Sequence, residues 1–474
     1  MVHRRLRSSA RAPLDFALLR AELDVPGPFE EAVLADAAAS AARGPAGERV
    51  DATDIPLVTI DPPGSMDLDQ ALAVEARPGG WRVRYAIADV AAWVAPGSPV
   101  DVAARARTQT FYAPDERSPL HPPSLGEAAA SLLPDGPRPA VLWTIDVGDD
   151  GATTDVDVRR AMVRSRSRLD YAGVQAMVDA GGAELPDALR ALPELGEVLL
   201  AAAAARGAIE LGLPEQDVVR GADGQWTVRI RADLPVERWN AQVSLLTGRA
   251  AASLMLAGGI GILRTVPQAD PAALPRLRRA ASNLAIAWPE AEGPATVLRS
   301  LDLARPQHAA FAELAAELLR GAAYTAFDRT LPADPGHAGV GAPYAHVTAP
   351  LRRLVDRFGT EVCLALAAGD RPPAWAAEAL PSLPAAMEVG DRLAKRFERA
   401  VVDATEAFVL HDRIGQTFPA RVVESGDDYG TVVLDDPPVR ARCDTRRLPL
   451  GRTVQVRCVE ADVATRTVRF ERVA

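Results

Sequence analysis

The chain has 474 residues, 48% of them hydrophobic and 24% charged, with a mean hydropathy of −0.01; that is enough apolar surface for a sizeable core and a length that suggests two or three domains. No apolar run is long enough to cross a bilayer, the Ala-rich stretch Leu199–Ala205 being short and flanked by Glu197 and Arg206. The net charge of −10 excludes a protein that coats nucleic acid with a broad basic face, but not one whose cations line an internal channel, because screening confines charge effects to about 10 Å.

Residues 1–50 read as a short helical segment (FALLRAEL, FEEAVLADAAASAA) that ends in the Gly/Pro stretch ARGPAGER. The basic start MVHRRLRSSARAPL has no apolar region behind it, so a secretory signal is not expected and a cytoplasmic location follows. From about residue 54 to 158, alternating segments (LVTI, ALAVEA, WRVRYAIADVAAWV, VLWTIDV, TTDVDVRR) predict strands, with GG and DDG as hairpin turns. After Leu169 the apolar spacing becomes helical, as in AGVQAMVDA, ALRALPELGEVLLAAAAARGA and AQVSLLTGRAAASLML, and a long helix is expected over 387–413. Five short strand-like segments then follow in about 60 residues, which predicts a compact OB-type barrel. A single-strand-binding face there would use Tyr429, Arg440, Arg442 and Arg457; a purely structural module is an equal reading, since aromatics are scarce.

Three cysteines without a C-x-x-C pair predict buried, reduced thiols, and six histidines show no metal-ligand spacing. Nearly every cation is arginine, whose planar fork suits phosphate; the only lysine is Lys395.

The segment TIDPPGSMDLDQ (59–70) stands apart from the rest of this acidic chain. It sets Asp61, Asp67 and Asp69 within nine residues, between two strand-like stretches, where Pro62, Pro63 and Gly64 force a turn. Carboxylates this close repel unless a cation offsets them, and oxygen-only ligands suit Mg²⁺ or Mn²⁺. Metal-assisted chemistry on a phosphate ester is the leading expectation. A calcium loop fails on spacing, and the second D-x-D, Asp155 and Asp157, reads as a solvated face beside Arg159 and Arg160.

Six segments in order then resemble the ribonuclease II/R (RNB) family of exoribonucleases: IDPPGSMDLDQA, YAIADVAAWV, FYAPDERSPLHPPSLGEAAASLLP, RGAIELGLPE, AHVTAPLRRLVD and FERAVVDA. The resemblance implies an α/β (α+β) fold. An RNB catalytic domain of mixed β-sheet and helices would span 51–412, with a small OB/S1-like β-barrel over 413–474. It implies hydrolysis of single-stranded RNA from the 3′ end to nucleoside 5′-monophosphates, through a channel too narrow for duplex, by a monomer with no membrane attachment. By motif position, Asp61, Asp67 and Asp69 would hold Mg²⁺ (or Mn²⁺), with Gln70 as a fourth ligand, and Arg352 would grip the scissile phosphate. Tyr112 would stack on the terminal nucleotide, Glu398 would lie near it, and Arg353 would contact the backbone or serve structure.

The chain departs from the family pattern at several points. Gln70 replaces the fourth acid of the loop, leaving three negative charges there instead of four. Ala349 and Leu354 replace a serine and a tyrosine around the arginines, and AQVSLLTG lacks the acids usual in its helix. The 50 residues before the first strand are too few for the cold-shock domains of larger members. Of the remaining polar residues, His346 is expected to be packed or phosphate-proximal, Asp89 to tie strands together, and Asp403 to pair with an arginine. The RSRSR stretch (164–168) reads equally as a surface strand or as the border of an RNA path.

Overall fold

The computed structural model describes residues 14–473; the basic start, on which the leader reading rests, lies outside them. Strands β1 (Val50–Asp51), β2 (Leu57–Asp61), β3 (Gln70–Arg77) and β4 (Gly80–Ala88) come first in the chain. A small separate hairpin follows, β5 (Phe111–Tyr112) with β6 (Arg117–Ser118), and then β7 (Arg138–Gly148), β8 (Thr153–Val163) and β9 (Ser165–Asp170). Seven of these form one mixed sheet in the order β1-β8-β7-β4-β3-β2-β9. The strand pairs β3–β4, β4–β7 and β7–β8 are antiparallel, while β1 and β9 join in parallel to β8 and β2. The turns are where Gly placed them: Gly79 and Gly151 sit at φ of +80° and +76°, a region that costs a side chain about 1–2 kcal/mol.

The central strand β4 is buried along its last four residues, Tyr85 to Ala88, which accounts for the unbroken apolar run YAIA there. Helices Leu192–Ala205, Pro235–Gly258 and Leu354–Ala367 pack together and share the sheet's core, in which Trp143 and Tyr85 are the largest fully buried side chains.

The expected long helix spans Leu383–Leu410, roughly 42 Å at about 1.5 Å per residue, and a single 3₁₀ turn over His411–Arg413 ends it. Midway it buries Phe397, Val401 and Ala404 against Phe16, Leu19 and Phe111. At its end Ala407 and Leu410 enter the core of a closed five-stranded barrel over residues 417–472. The barrel strands alternate buried and exposed residues, as in Thr453–Asp462, and closure removes their free edges.

Three strand pairs appear in the region where only helical spacing was expected: Glu215–Arg220 with Trp226–Arg231, Ile260–Thr265 with Ala323–Asp328, and the short pair Gly336–His337 with Ala342–Pro343. The first is a partly exposed two-stranded ribbon, so EQDVVR carries no apolar alternation to announce it. All three cysteines are buried and free, and no described helix is long and apolar enough to cross a membrane.

Candidate active site

The acidic loop leaves the sheet at the end of β2 and returns at the start of β3. Gly64, at φ +84°, makes the turn that the two prolines begin, and Ser65 N–H closes it on the Pro62 carbonyl at 3.2 Å. The loop is then pinned at its middle. Ser131 Oγ accepts from Leu68 N–H (3.0 Å) and donates to the Met66 carbonyl (2.6 Å), while Leu132 N–H donates to the Leu68 carbonyl (3.0 Å). Leu68 is thereby fully buried, with Asp67 and Asp69 fixed on either side of it.

The three aspartates have different partners. Asp69 is 3% exposed; its Oδ1 accepts from Leu351 N–H at 2.7 Å and its Oδ2 lies 3.2 Å from Arg352 Nε. Asp67 Oδ1 accepts from Arg117 Nη1 at 2.5 Å, and Arg117 also pairs with Glu127. Asp61 Oδ2 is buried with no hydrogen-bond partner. Burial pushes the Asp61 carboxyl up to about 6, with Arg352 opposing the rise and Asp67 adding to it. Burial likewise pushes Asp69 up to about 8, against the pull of Arg352 and the Leu351 N–H, with Asp356 and Asp67 adding. The three acids and Arg352 therefore share one electrostatic neighbourhood.

An orphaned buried carboxylate oxygen, in a set of oxygen-only donors where burial disfavours ionisation of Asp61 and Asp69, fits a hard divalent cation. Among the described residues, however, no group of three or more His, Cys, Asp or Glu is gathered closely enough to enclose a metal ion. Arg117 and Arg352 hold the charges of Asp67 and Asp69 instead.

Gln70 does not match the expected ligand role. Its Oε1 accepts from the Tyr85 hydroxyl and its Nε2 donates to the Thr348 carbonyl at 2.7 Å, so both ends of the amide are engaged. Of the two roles expected for Arg353, backbone contact or structure, its contacts serve the structural one. Its Nε and Nη2 fork onto the fully buried Asp356 at 2.9 and 2.8 Å, and Asp356 also accepts from Ala349 N–H at 2.7 Å. That ion pair sets the loop that carries Arg352.

Tyr112 is 47% exposed on the β5–β6 hairpin, and burial of its hydroxyl, with Asp67 beside it, pushes the pKa up to about 12. It lines a cavity of about 1110 Å³ together with Glu398, Arg399, Tyr429, Arg440 and Arg442. Burial raises the Glu398 carboxyl, Lys395 opposing and Glu215 adding. The cavity thus unites the expected barrel face with the hairpin and the long helix, while Arg457 stays outside and pairs with Glu471. Its cations are largely spoken for: Arg399 by Asp403 (3.5 Å), Arg440 by Glu313 (2.6 Å) and Arg442 by Asp444 (2.5 Å).

Asp89 binds Arg160 (2.6 and 2.7 Å) and Arg49 (2.7 Å), tying β4 to β8 and to the residues before β1. His346 is packed edge-on against Tyr324 and Tyr344, its Nδ1 2.7 Å from the Tyr324 hydroxyl, and burial holds its pKa well below the usual value. Arg168 of the RSRSR stretch reaches the acidic loop at the Ser65 carbonyl (3.3 Å), and Asp157 pairs with Arg159 on a solvated face. Sequence reasoning missed Arg117, although it lies inside FYAPDERSPLHPP; nothing local says which of the loop acids, about fifty residues earlier, it will meet.

Comparison with known proteins adds to this geometry. A family model described as the RNB domain matches residues 49–359, and one described as the RNase II-type exonuclease C-terminal S1 domain matches residues 416–473. Ribonuclease R of Escherichia coli (strain K12) is 28% identical over 422 residues, 82% of this chain and 50% of that protein. Exoribonuclease 2 of Vibrio vulnificus (strain YJ016) is 35% identical over 139 residues, 29% of this chain and 21% of that protein. The chain spans about half the length of the first of these curated relatives, and less of the second. Among solved structures, the apo form of Mycoplasma genitalium RNase R superposes with a TM-score of 0.86 at 20% identity, covering 97% of this chain and 77% of that one. Yeast Ssd1, described as a pseudonuclease, gives 0.66 at 14% identity, covering 88% and 54%. At those identities the likeness shows the fold alone.

Proposed function

Since this chain belongs to the RNB-domain family, we propose that it is a metal-dependent exoribonuclease that hydrolyses single-stranded RNA from the 3′ end, releasing nucleoside 5′-monophosphates. The observation that carries the reading is the unpartnered, buried Asp61 Oδ2 in a neighbourhood shared with Asp67, Asp69 and Arg352. Asp61, Asp67 and Asp69 would hold the cation, Mg²⁺ or Mn²⁺. Bound there, such an ion supplies charge neutralisation at the scissile phosphate and a more acidic attacking water.

The chain's own groups do the rest. Arg352 spends Nε on Asp69, is 47% exposed, and has no side-chain partner at Nη1 or Nη2 among the described residues, so that edge is free to fork onto a phosphate. Tyr112 offers an exposed ring within the field of Asp67 and Arg352, where a base can stack without sequence preference for about 1–3 kcal/mol. Asp356 holds Arg352's loop in place through Arg353 and Ala349.

A second reading is a non-catalytic RNA-binding protein of the same family. It is favoured by Gln70, which leaves the loop one charge short, and by the two arginines that already neutralise Asp67 and Asp69.

RNA labelled at its 5′ end, incubated with Mg²⁺, separates the two. The hydrolytic reading expects progressive shortening that stops in Asp69→Asn and changes little in Gln70→Asp. Retention without shortening, followed by a large gain in Gln70→Asp, supports the binder. Undiminished shortening in Asp69→Asn removes the role of the acidic loop.

A further inference from the structure

The sheet has a second cavity at the opposite end from the acids. The β7–β8 turn, the end of helix Leu192–Ala205 and helix Pro235–Gly258 surround about 730 Å³, a volume in the range of small-ligand pockets. β4 measures the separation. Its Ile87 pairs with Gln70 at the acidic end and its Gly80 with Gly148 at the other, seven residues or roughly 23 Å away at about 3.3 Å per residue.

Arg206 and Arg249 line this cavity, the first closing its helix and the second on the neighbouring one. Elsewhere in this fold buried arginines have polar partners: Arg160 pairs with Asp89, Arg353 with Asp356 and Arg357 with Asp101, while Arg107 donates to the Gly27 and Pro119 carbonyls. Arg206 and Arg249 have no ion pair and no side-chain hydrogen bond with any described residue, and Arg206 Nε is buried without a partner. Burial lowers the pKa of both; Arg206's charge adds to the effect on Arg249, which falls to about 10.

Two acids at the rim do not answer these cations. Asp150 accepts from Ala152 N–H (2.9 Å), and Asp155 lies opposite Asp146 on β7. The hydroxyl residues Thr153, Thr154 and Ser253 complete the polar lining. Two mutually repelling, partly desolvated guanidiniums are costly unless an anion joins them. Paired guanidiniums with hydroxyl donors are the chemistry that recognises phosphate.

We propose that this cavity is a phosphate-binding site, separate from the acidic loop and independent of whether the chain hydrolyses RNA. The phosphate sits between Arg206 and Arg249, supplied either by a small nucleotide or by an RNA backbone. The test compares the full chain with Arg206→Gln, Arg249→Gln and the charge-keeping Arg249→Lys. Thermal midpoints and affinities are measured with inorganic phosphate, with adenosine 5′-monophosphate (AMP), and with single-stranded RNA over a range of salt.

If small nucleotides are the source, AMP affinity falls at least tenfold in both Gln variants, persists in the Lys variant, and RNA binding is unchanged. If the RNA backbone is the source, RNA affinity falls, and the slope of log affinity against log salt shrinks by about 0.7 per arginine removed. In chloride alone the Gln variants melt no lower than the parent, because an uncompensated cation has been removed. Phosphate, AMP and RNA binding unchanged in both Gln variants overturns the proposal. So does AMP binding lost in Asp61→Asn but kept in Arg249→Gln, or a lower midpoint in chloride, which would make the arginines structural.

Discussion

Replacing Asp356 with alanine should disable the proposed hydrolysis without touching substrate. Asp356 is fully buried and accepts three hydrogen bonds at 2.7, 2.8 and 2.9 Å, from Ala349 N–H and from two nitrogens of Arg353. Hydrogen bonds to a charged group contribute about 1.5–3 kcal/mol each, but two of these share one guanidinium and do not add. Truncating one partner of a buried ion pair costs about 3–5 kcal/mol, because the other charge is left uncompensated, so about 4 kcal/mol is expected. The loss falls on the 349–353 loop, and Arg352 must be held to within a fraction of an ångström of its working position. A fall in kcat of about 100-fold on a short single-stranded RNA should therefore accompany it. Asp356→Asn, which keeps the shape and one acceptor, should lie between the two. Denaturant unfolding together with steady-state hydrolysis on the same preparations decides the matter. An Asp356→Ala protein within about 1 kcal/mol of the parent and equally active would refute the argument that this ion pair sets the arginine loop.

Tyr112→Ala should weaken single-stranded RNA binding by about 1–3 kcal/mol, whereas Tyr112→Phe stays close to the parent, as titration of labelled RNA would show. Gln70→Asp places an acceptor against the Thr348 carbonyl in place of a donor, and should lower stability by about 1–3 kcal/mol in denaturant unfolding. Glu406, which joins the long helix to Gln216 and Arg440 N–H, is pushed up to about 7 by burial against those two hydrogen bonds. It binds its proton more tightly folded than unfolded, so its contribution is full below about pH 4.5 and is lost as pH rises to about 7, a loss of about 3 kcal/mol. Unfolding free energy measured across that range should flatten in Glu406→Gln.

The parts of the site carried by contiguous sequence were legible. The acidic loop announces itself because two prolines and a glycine compress three aspartates between strands, and the barrel because short alternating segments follow one another without a break. What the sequence hid were pairings set by distant chain segments. Arg117 meets Asp67 across 50 residues, and Gln70 meets Thr348 across 278. Gln70 was placed as a fourth ligand by its motif position, whereas its neighbours in space are a phenol and a backbone carbonyl. The ribbon over residues 215–231 escaped notice because one of its strands is polar and only half covered. Arg353 and Arg352 are adjacent in sequence and opposite in role, because only Arg353 points at a buried carboxylate three residues on.

The most direct test is the first product released from single-stranded RNA labelled at its 3′ end, with Mg²⁺ present or removed by chelation. The label should appear at once as a nucleoside 5′-monophosphate, only with the metal, and not in Asp61→Asn. Release of a longer fragment or a diphosphate, or hydrolysis that survives chelation, would contradict the proposed function.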